Sequence, residues 1–133
     1  MATNNVYRTI LLTMPPGVEQ RIMEILIRHV GSENRIKRRD LVFAVFGRVD
    51  QKPAQTSTLD RQVRSAIARM QERGIPILSD SGQGGYWLGT KAECVNFIKE
   101  QQDRQAALAR KINGIKKLWK ISPNDLQARL PGV

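Results

Sequence analysis

The chemistry of most consequence sits on residues 57–73. At about 100° per residue, Leu59, Val63, Ile67 and Met70 cluster within about 80° of one another on a helical wheel. The opposite side carries Arg61, Arg64, Ser65, Ala68 and Arg69, with Gln62 at its edge. Guanidinium groups bond phosphate oxygens, and they bond the O6 and N7 edge of guanine in a bidentate way. Ala68 leaves room for a thymine methyl or for close approach. Ser57-Thr58-Leu59-Asp60 resembles a capping box with Asp in the acid position, so a helix starts here. The hydroxyls of Thr56, Ser57 and Thr58 then lie at the positive end of that helix, where phosphates are favoured. A solvated basic helix face would show the same residues. The flanking elements decide between the two.

The whole chain leans the same way. It has 133 residues, enough for one core, with 22 Lys and Arg against 12 Asp and Glu and a formal charge of +10. Between positions 28 and 73, eleven Lys or Arg stand against five Asp or Glu, so the surplus is concentrated around the basic helix. A polyanion is the expected partner of such a chain, nucleic acid first and an anionic membrane surface second. One cysteine, Cys94, excludes an intrachain disulfide and a CxxC metal site. One histidine, His29, with scattered carboxylates, makes a poor kit for metal or nucleophilic catalysis. The expectation is a non-enzymatic protein with no metal, no cofactor and no small-molecule ligand. No apolar run approaches the length of a membrane span, and the N-terminus lacks the pattern of a signal peptide. The cytoplasm of a bacterial or phage-infected cell is the expected location.

Residues 1–16 read as an N-terminal arm, whose apolar stretch over 7–14 (YRTILLTM) docks as a strand or an irregular segment. Pro15-Pro16-Gly17 interrupts the chain. Val18, Ile22, Ile25, Leu26 and Val30 recur at three and four, which predicts a helix over about 16–30 with Gly31 at its C-terminal cap. Residues 41–46 (LVFAVF) are apolar on every side; context favours a short helix over about 38–47, closed by Gly47. A loop covers 48–56. The basic helix ends near Arg73, before Gly74. Residues 75–79 and 86–88 read as two strands joined by the glycine-rich turn at 80–85, a β-hairpin. Thr90 and Glu93 form a capping box that opens a helix over 91–120, with a weak point at Gly114. Ser122-Pro123 opens a last short helix to about Leu130.

Three helices followed by a hairpin is the winged helix-turn-helix order. The expected fold class is therefore mainly α with a small β-hairpin (α+β), carrying a long C-terminal helix. A short third strand near 35–37 would pair with the hairpin. Gly74, Ile75, Pro76 and Ile77, then Gly85, Tyr86 and Leu88, make a Gly-Ile-Pro-Ile strand and a Gly-Tyr-x-Leu strand. In this the chain resembles bacterial and phage winged-helix domains like the DNA-binding domain of the biotin operon repressor. The resemblance covers about residues 17–90 and leaves 91–133 as a helical extension. It implies that the third helix enters duplex DNA, with Thr58, Arg61, Gln62, Arg64, Ser65 and Arg69 on the recognition side. Lys37, Arg38 and Arg39 would clamp backbone phosphates, with Arg35 beside them. Ser81, Gln83 and Gly84 would make contacts from the wing.

The expected function is duplex-DNA binding by a small transcriptional regulator. The alternative is a winged-helix adaptor or inhibitor that binds protein in a replication, defence or polymerase complex. In the long helix, Cys94, Ile98, Gln101, Gln105, Leu108, Ile112, Ile115 and Trp119 alternate by four and three, a coiled-coil spacing. That spacing suits a homodimer through residues 94–119, or a helix folded back on its own domain. The GGYWLGTK run at 84–91 misses the phosphate-binding loop pattern by one residue. His29 reads as a partly buried side chain or one facing the negative end of its helix, Cys94 as a packing residue, and Trp87 as a side chain packed on the body of the hairpin.

Overall fold

The computed structural model describes residues 2–48 and 57–127. Most of the expected 48–56 loop, including Thr56, lies outside the described residues, as does the last helix beyond Gln127. The elements are α1 (Ala2–Thr13), α2 (Val18–Leu26), a 3₁₀ turn (Ser32–Asn34), α3 (Arg38–Phe46), α4 (Thr58–Glu72), β1 (Ile77–Leu78), β2 (Trp87–Leu88), α5 (Lys91–Trp119) and α6 (Pro123–Gln127). The chain is thus mainly helical with a small antiparallel hairpin, in register Ile77 to Leu88 and Leu78 to Trp87. It divides into two compact units, Met1–Cys94 and Val95–Val133.

In the first unit, α2, α3 and α4 pack against one another in all three pairings. Ile22, Met23 and Leu26 of α2 meet Leu41, Val42 and Val45 of α3 and the expected stripe of α4, Leu59, Val63, Ile67 and Met70. Ile77 and Leu88 of the hairpin join the same core. Burial of each such large side chain contributes about 1.5–3 kcal/mol. Gly47 closes α3 in the left-handed conformation, at φ 73°.

Two expectations are corrected here. Residues 2–13 form a helix, not a strand or irregular arm. Tyr7, Ile10, Leu11 and Met14 recur at three and four, so one face of α1 covers the core. Tyr7 is buried and its hydroxyl donates to the carbonyl of Gly89. Burial pushes that hydroxyl well above the usual phenol range, with Cys94 and Glu93 alongside adding to the effect. The second correction concerns α2, which ends at Leu26 rather than near Val30. The N–H of Leu88 donates to the carbonyl of His29 at 2.9 Å, and the N–H of Gly31 donates to the carbonyl of Leu88 at 2.8 Å. Pairing with β2 therefore replaces the last helical turn, and Gly31 lies beyond the helix end instead of capping it.

The short third strand near 35–37 is present as a bridge. Ile36 and Tyr86 exchange N–H···O bonds of 2.9 Å in each direction. Gly85 makes this approach possible: it sits at φ +82°, and a Cβ there would lie 2.7 Å from the Ile36 carbonyl oxygen. The capping box at the start of α5 is reciprocal, with Glu93 N–H to Thr90 Oγ1 at 3.2 Å and Thr90 N–H to Glu93 Oε1 at 2.9 Å. Glu93 Oε2 also accepts the N–H of Ser32 at 3.0 Å, tying the 3₁₀ turn to this helix start. Burial alone would raise the Glu93 carboxyl, but the hydrogen bonds from Thr90 and Ser32 outweigh it and hold the group below its usual value.

Among the described residues, the second unit consists of the rest of α5 and α6. α5 runs unbroken through Gly114, and no residue along it is buried. No described helix is long and apolar enough to cross a membrane.

Candidate nucleic-acid interface

Ser57 fixes the start of α4. Its Oγ accepts the N–H of Asp60 at 3.1 Å, the capping bond expected from the sequence. Because the apolar stripe is drawn into the core, the residues on the far side of the wheel are turned outward. Thr58, Arg61, Gln62, Ser65, Ala68 and Arg69 are all exposed. Thr58, Arg61, Gln62, Ser65 and Arg69 line, with Val18 of α2, an open cleft of about 280 Å³. Five of the six recognition-side residues expected from the sequence thus share one concave surface.

The sixth, Arg64, is engaged elsewhere. Asp60 is 6% exposed and lies between two guanidinium groups, Arg64 Nε at 2.7 Å from Oδ2 and Arg38 Nε at 3.1 Å from Oδ1. The carboxylate links the start of α3 to the first turn of α4. The side chains of Arg38 and Arg64 remain 44% and 43% exposed, so each keeps a face toward solvent while its Nε is held. Glu19 of α2 plays a similar part at the other end, 3.4 Å from Arg69 Nε and 2.7 Å from Arg73. Arg61 makes no ion pair among the described residues.

At the hairpin, Asp80 organises the turn. Its Oδ1 accepts the N–H groups of Gln83 and Gly84, and its Oδ2 pairs with Arg35 at 2.6 Å. The Arg35 bond, aided by those N–H groups, holds the exposed Asp80 carboxyl below its usual value despite an opposing desolvation effect. The N–H of Gly84 is therefore taken up within the turn by Asp80. Arg35 departs from the phosphate-clamp expectation. Besides Asp80 it bonds the carbonyls of Ser32 and Gly84, and its guanidinium lies 4.6 Å from the centroid of the buried Trp87 ring. It is a strut between the hairpin and the body. Ser81 and Gln83 are exposed at the tip, and Lys37 and Arg39 are exposed around the start of α3.

Asp60, Glu19 and Asp80 are the residues that sequence reasoning missed. Asp60 carried a legible signal, since Arg64 follows it by four on one helix face. Glu19 and Asp80 meet arginines 45 or more positions away in the chain, a relation that no local spacing encodes. Among the described residues no group of three or more His, Cys, Asp or Glu is placed to hold a metal ion. Comparison with known proteins finds no matching family model, no matching curated relative and no matching solved structure.

Proposed function

We propose that this chain is a winged helix-turn-helix protein that binds duplex DNA without catalysing a reaction, as a small transcriptional regulator of bacterial or phage type. One observation carries the reading: Thr58, Arg61, Gln62, Ser65 and Arg69 occupy the outward face of a helix whose other face is locked into the core. A rigid helix presenting such a row suits a major groove, where side-chain donors and acceptors read base edges. Arg61 is the base-reading candidate, with Gln62 and Ser65 beside it. Lys37 and Arg39, with the open faces of Arg38 and Arg64, supply phosphate contacts that set position without reading sequence. Ser81 and Gln83 at the hairpin tip make backbone or minor-groove contacts, and the cytoplasm is where such a protein would act. The resemblance of the Gly74–Ile77 and Gly85–Leu88 motifs to winged-helix domains supports the same reading, as does the +10 charge.

Selection of bound sequences from random duplex DNA at near-physiological salt tests this. Enrichment of a short motif that Arg61→Ala relaxes at one position is the expected result. Recovery of unenriched DNA, or of none, would remove the regulator reading.

A further inference from the structure

The second half of α5 joins two features that the DNA-binding surface does not use. Leu108, Ile112, Ile115 and Trp119 fall within about 60° of one another on the wheel and extend over roughly 17 Å of helix. All four are exposed, Ile115 by 51% and Trp119 by 74%. Around them the charge is of one sign. Residues 104–120 hold six Lys or Arg and no Asp or Glu.

The four-three spacing of Leu108, Ile112, Ile115 and Trp119 is the signature of a helix partner, and Leu118, 78% exposed, widens the apolar face beside its last turn. A phosphate backbone would satisfy the cations and leave the seam uncovered. In coiled-coil terms the charged residues flanking the seam are Arg104, Lys111 and Lys116, and flanking residues select the partner. Against a second copy in the parallel sense, Lys111 of one chain faces Lys116 of the other. In the antiparallel sense the flanks again offer only cationic or neutral side chains. Self-pairing through 94–119 therefore brings like charges together along the seam, which selects against it.

We infer that residues 104–119 of α5, with Lys120 just beyond its end, form a docking surface for an amphipathic helix of another protein, one with an apolar stripe flanked by Glu or Asp. Gln101 and Gln105 occupy the seam just before Leu108. Polar groups there fix register with a partner that supplies matching amides or hydroxyls. This surface is independent of the DNA-binding reading. It would join that module to an acidic partner.

The test uses the full chain and two designed peptides of about four heptads, identical in their Leu and Ile seam. One has Glu and the other Lys at the flanking positions. Fluorescence anisotropy at low salt is expected to show the Glu peptide binding at least roughly tenfold more tightly than the Lys peptide, with the gap narrowing as salt rises. The exposed double change Lys111→Glu and Lys116→Glu should reverse the preference. Ile112→Asn with Ile115→Asn should abolish binding of the Glu peptide, with helicity followed by circular dichroism. Equal affinities for the two peptides, or no binding of either, would overturn the inference. So would preferential partition into phosphatidylserine vesicles, or a micromolar dimer that the Glu peptide fails to dissociate.

Discussion

Asp60 holds Arg64 through a 2.7 Å contact one turn along α4, so two arginines three residues apart on the same helix stand in different situations. Arg61 projects into the cleft beside Gln62 and Ser65. Arg64 shares its carboxylate with Arg38 of the neighbouring helix.

That difference separates the two arginines in a binding experiment. Arg61→Ala is expected to cost about 1–3 kcal/mol on the preferred site and to relax preference at one base position. Arg64→Ala should weaken a preferred and a scrambled duplex by the same factor. Arg64 is 43% exposed and its loss leaves Asp60 paired with Arg38, so the stability cost should stay within about 1 kcal/mol. Parallel titrations of both variants on both duplexes check this. Equal losses for Arg61→Ala on the two DNAs would mean that α4 does not read sequence.

Asp60→Ala should be more damaging to the fold than either arginine change. It removes the shared acid between α3 and α4 and leaves two cations beside the space. About 1–3 kcal/mol of destabilisation is expected, below the full cost of breaking a buried pair because both arginines reach water. Asp60→Asn, which keeps the shape, should fall between wild type and Ala. Urea unfolding midpoints measure the series, and an unchanged midpoint for Asp60→Ala would remove the carboxylate from its linking role.

The hairpin provides a backbone test. Gly85→Ala places a Cβ against the Ile36 carbonyl at a positive φ, and about 1–3 kcal/mol of destabilisation is expected. Gly82→Ala in the same turn has no positive φ and meets nothing closer than 3.9 Å, so it should be nearly neutral. Thermal unfolding of the two variants distinguishes them.

Glu93 sets a pH dependence whose sign follows from its hydrogen bonds. Its carboxyl is held below its unfolded value, so the folded state favours the charged form. The resulting stability is present above the unfolded pKa, about 4.3, and is lost as pH falls through the lower folded value. Glu93→Gln should therefore unfold at lower temperature than wild type near pH 7. The gap should shrink once the pH drops through and below 4. Melting curves at a series of pH values check this, and a gap that widens on acidification would reverse the assignment.

The elements that announced themselves did so through local chemistry. The stripe at Leu59, Val63, Ile67 and Met70, the cap at Ser57, the capping box of Thr90 and Glu93, and the closing glycine at Gly47 all depend on residues within a few positions of one another. Helix α1 was legible in the same way, through Tyr7, Ile10, Leu11 and Met14, but Pro15-Pro16 and the short polar start obscured its period. The end of α2 was not legible. Val30 continues the helical spacing, and only the arrival of Leu88, far along the chain, draws residues 29–31 out of the helix. The outward face of α4 could be read from the wheel. The division of its arginines could not, because it depends on which acids the packing brings near, Asp60 locally and Glu19 from another helix.

Duplex-DNA affinity as a function of salt tests the DNA-binding proposal most directly. Neutralising about 6–10 phosphates releases their counterions, so affinity should fall by roughly 10³–10⁵ between 50 and 200 mM salt, linearly on a log–log plot. Changing Lys37 or Arg39 to alanine should reduce the slope by about one. No binding at 50 mM salt, or an affinity indifferent to salt, would contradict a phosphate-clamping interface centred on α4.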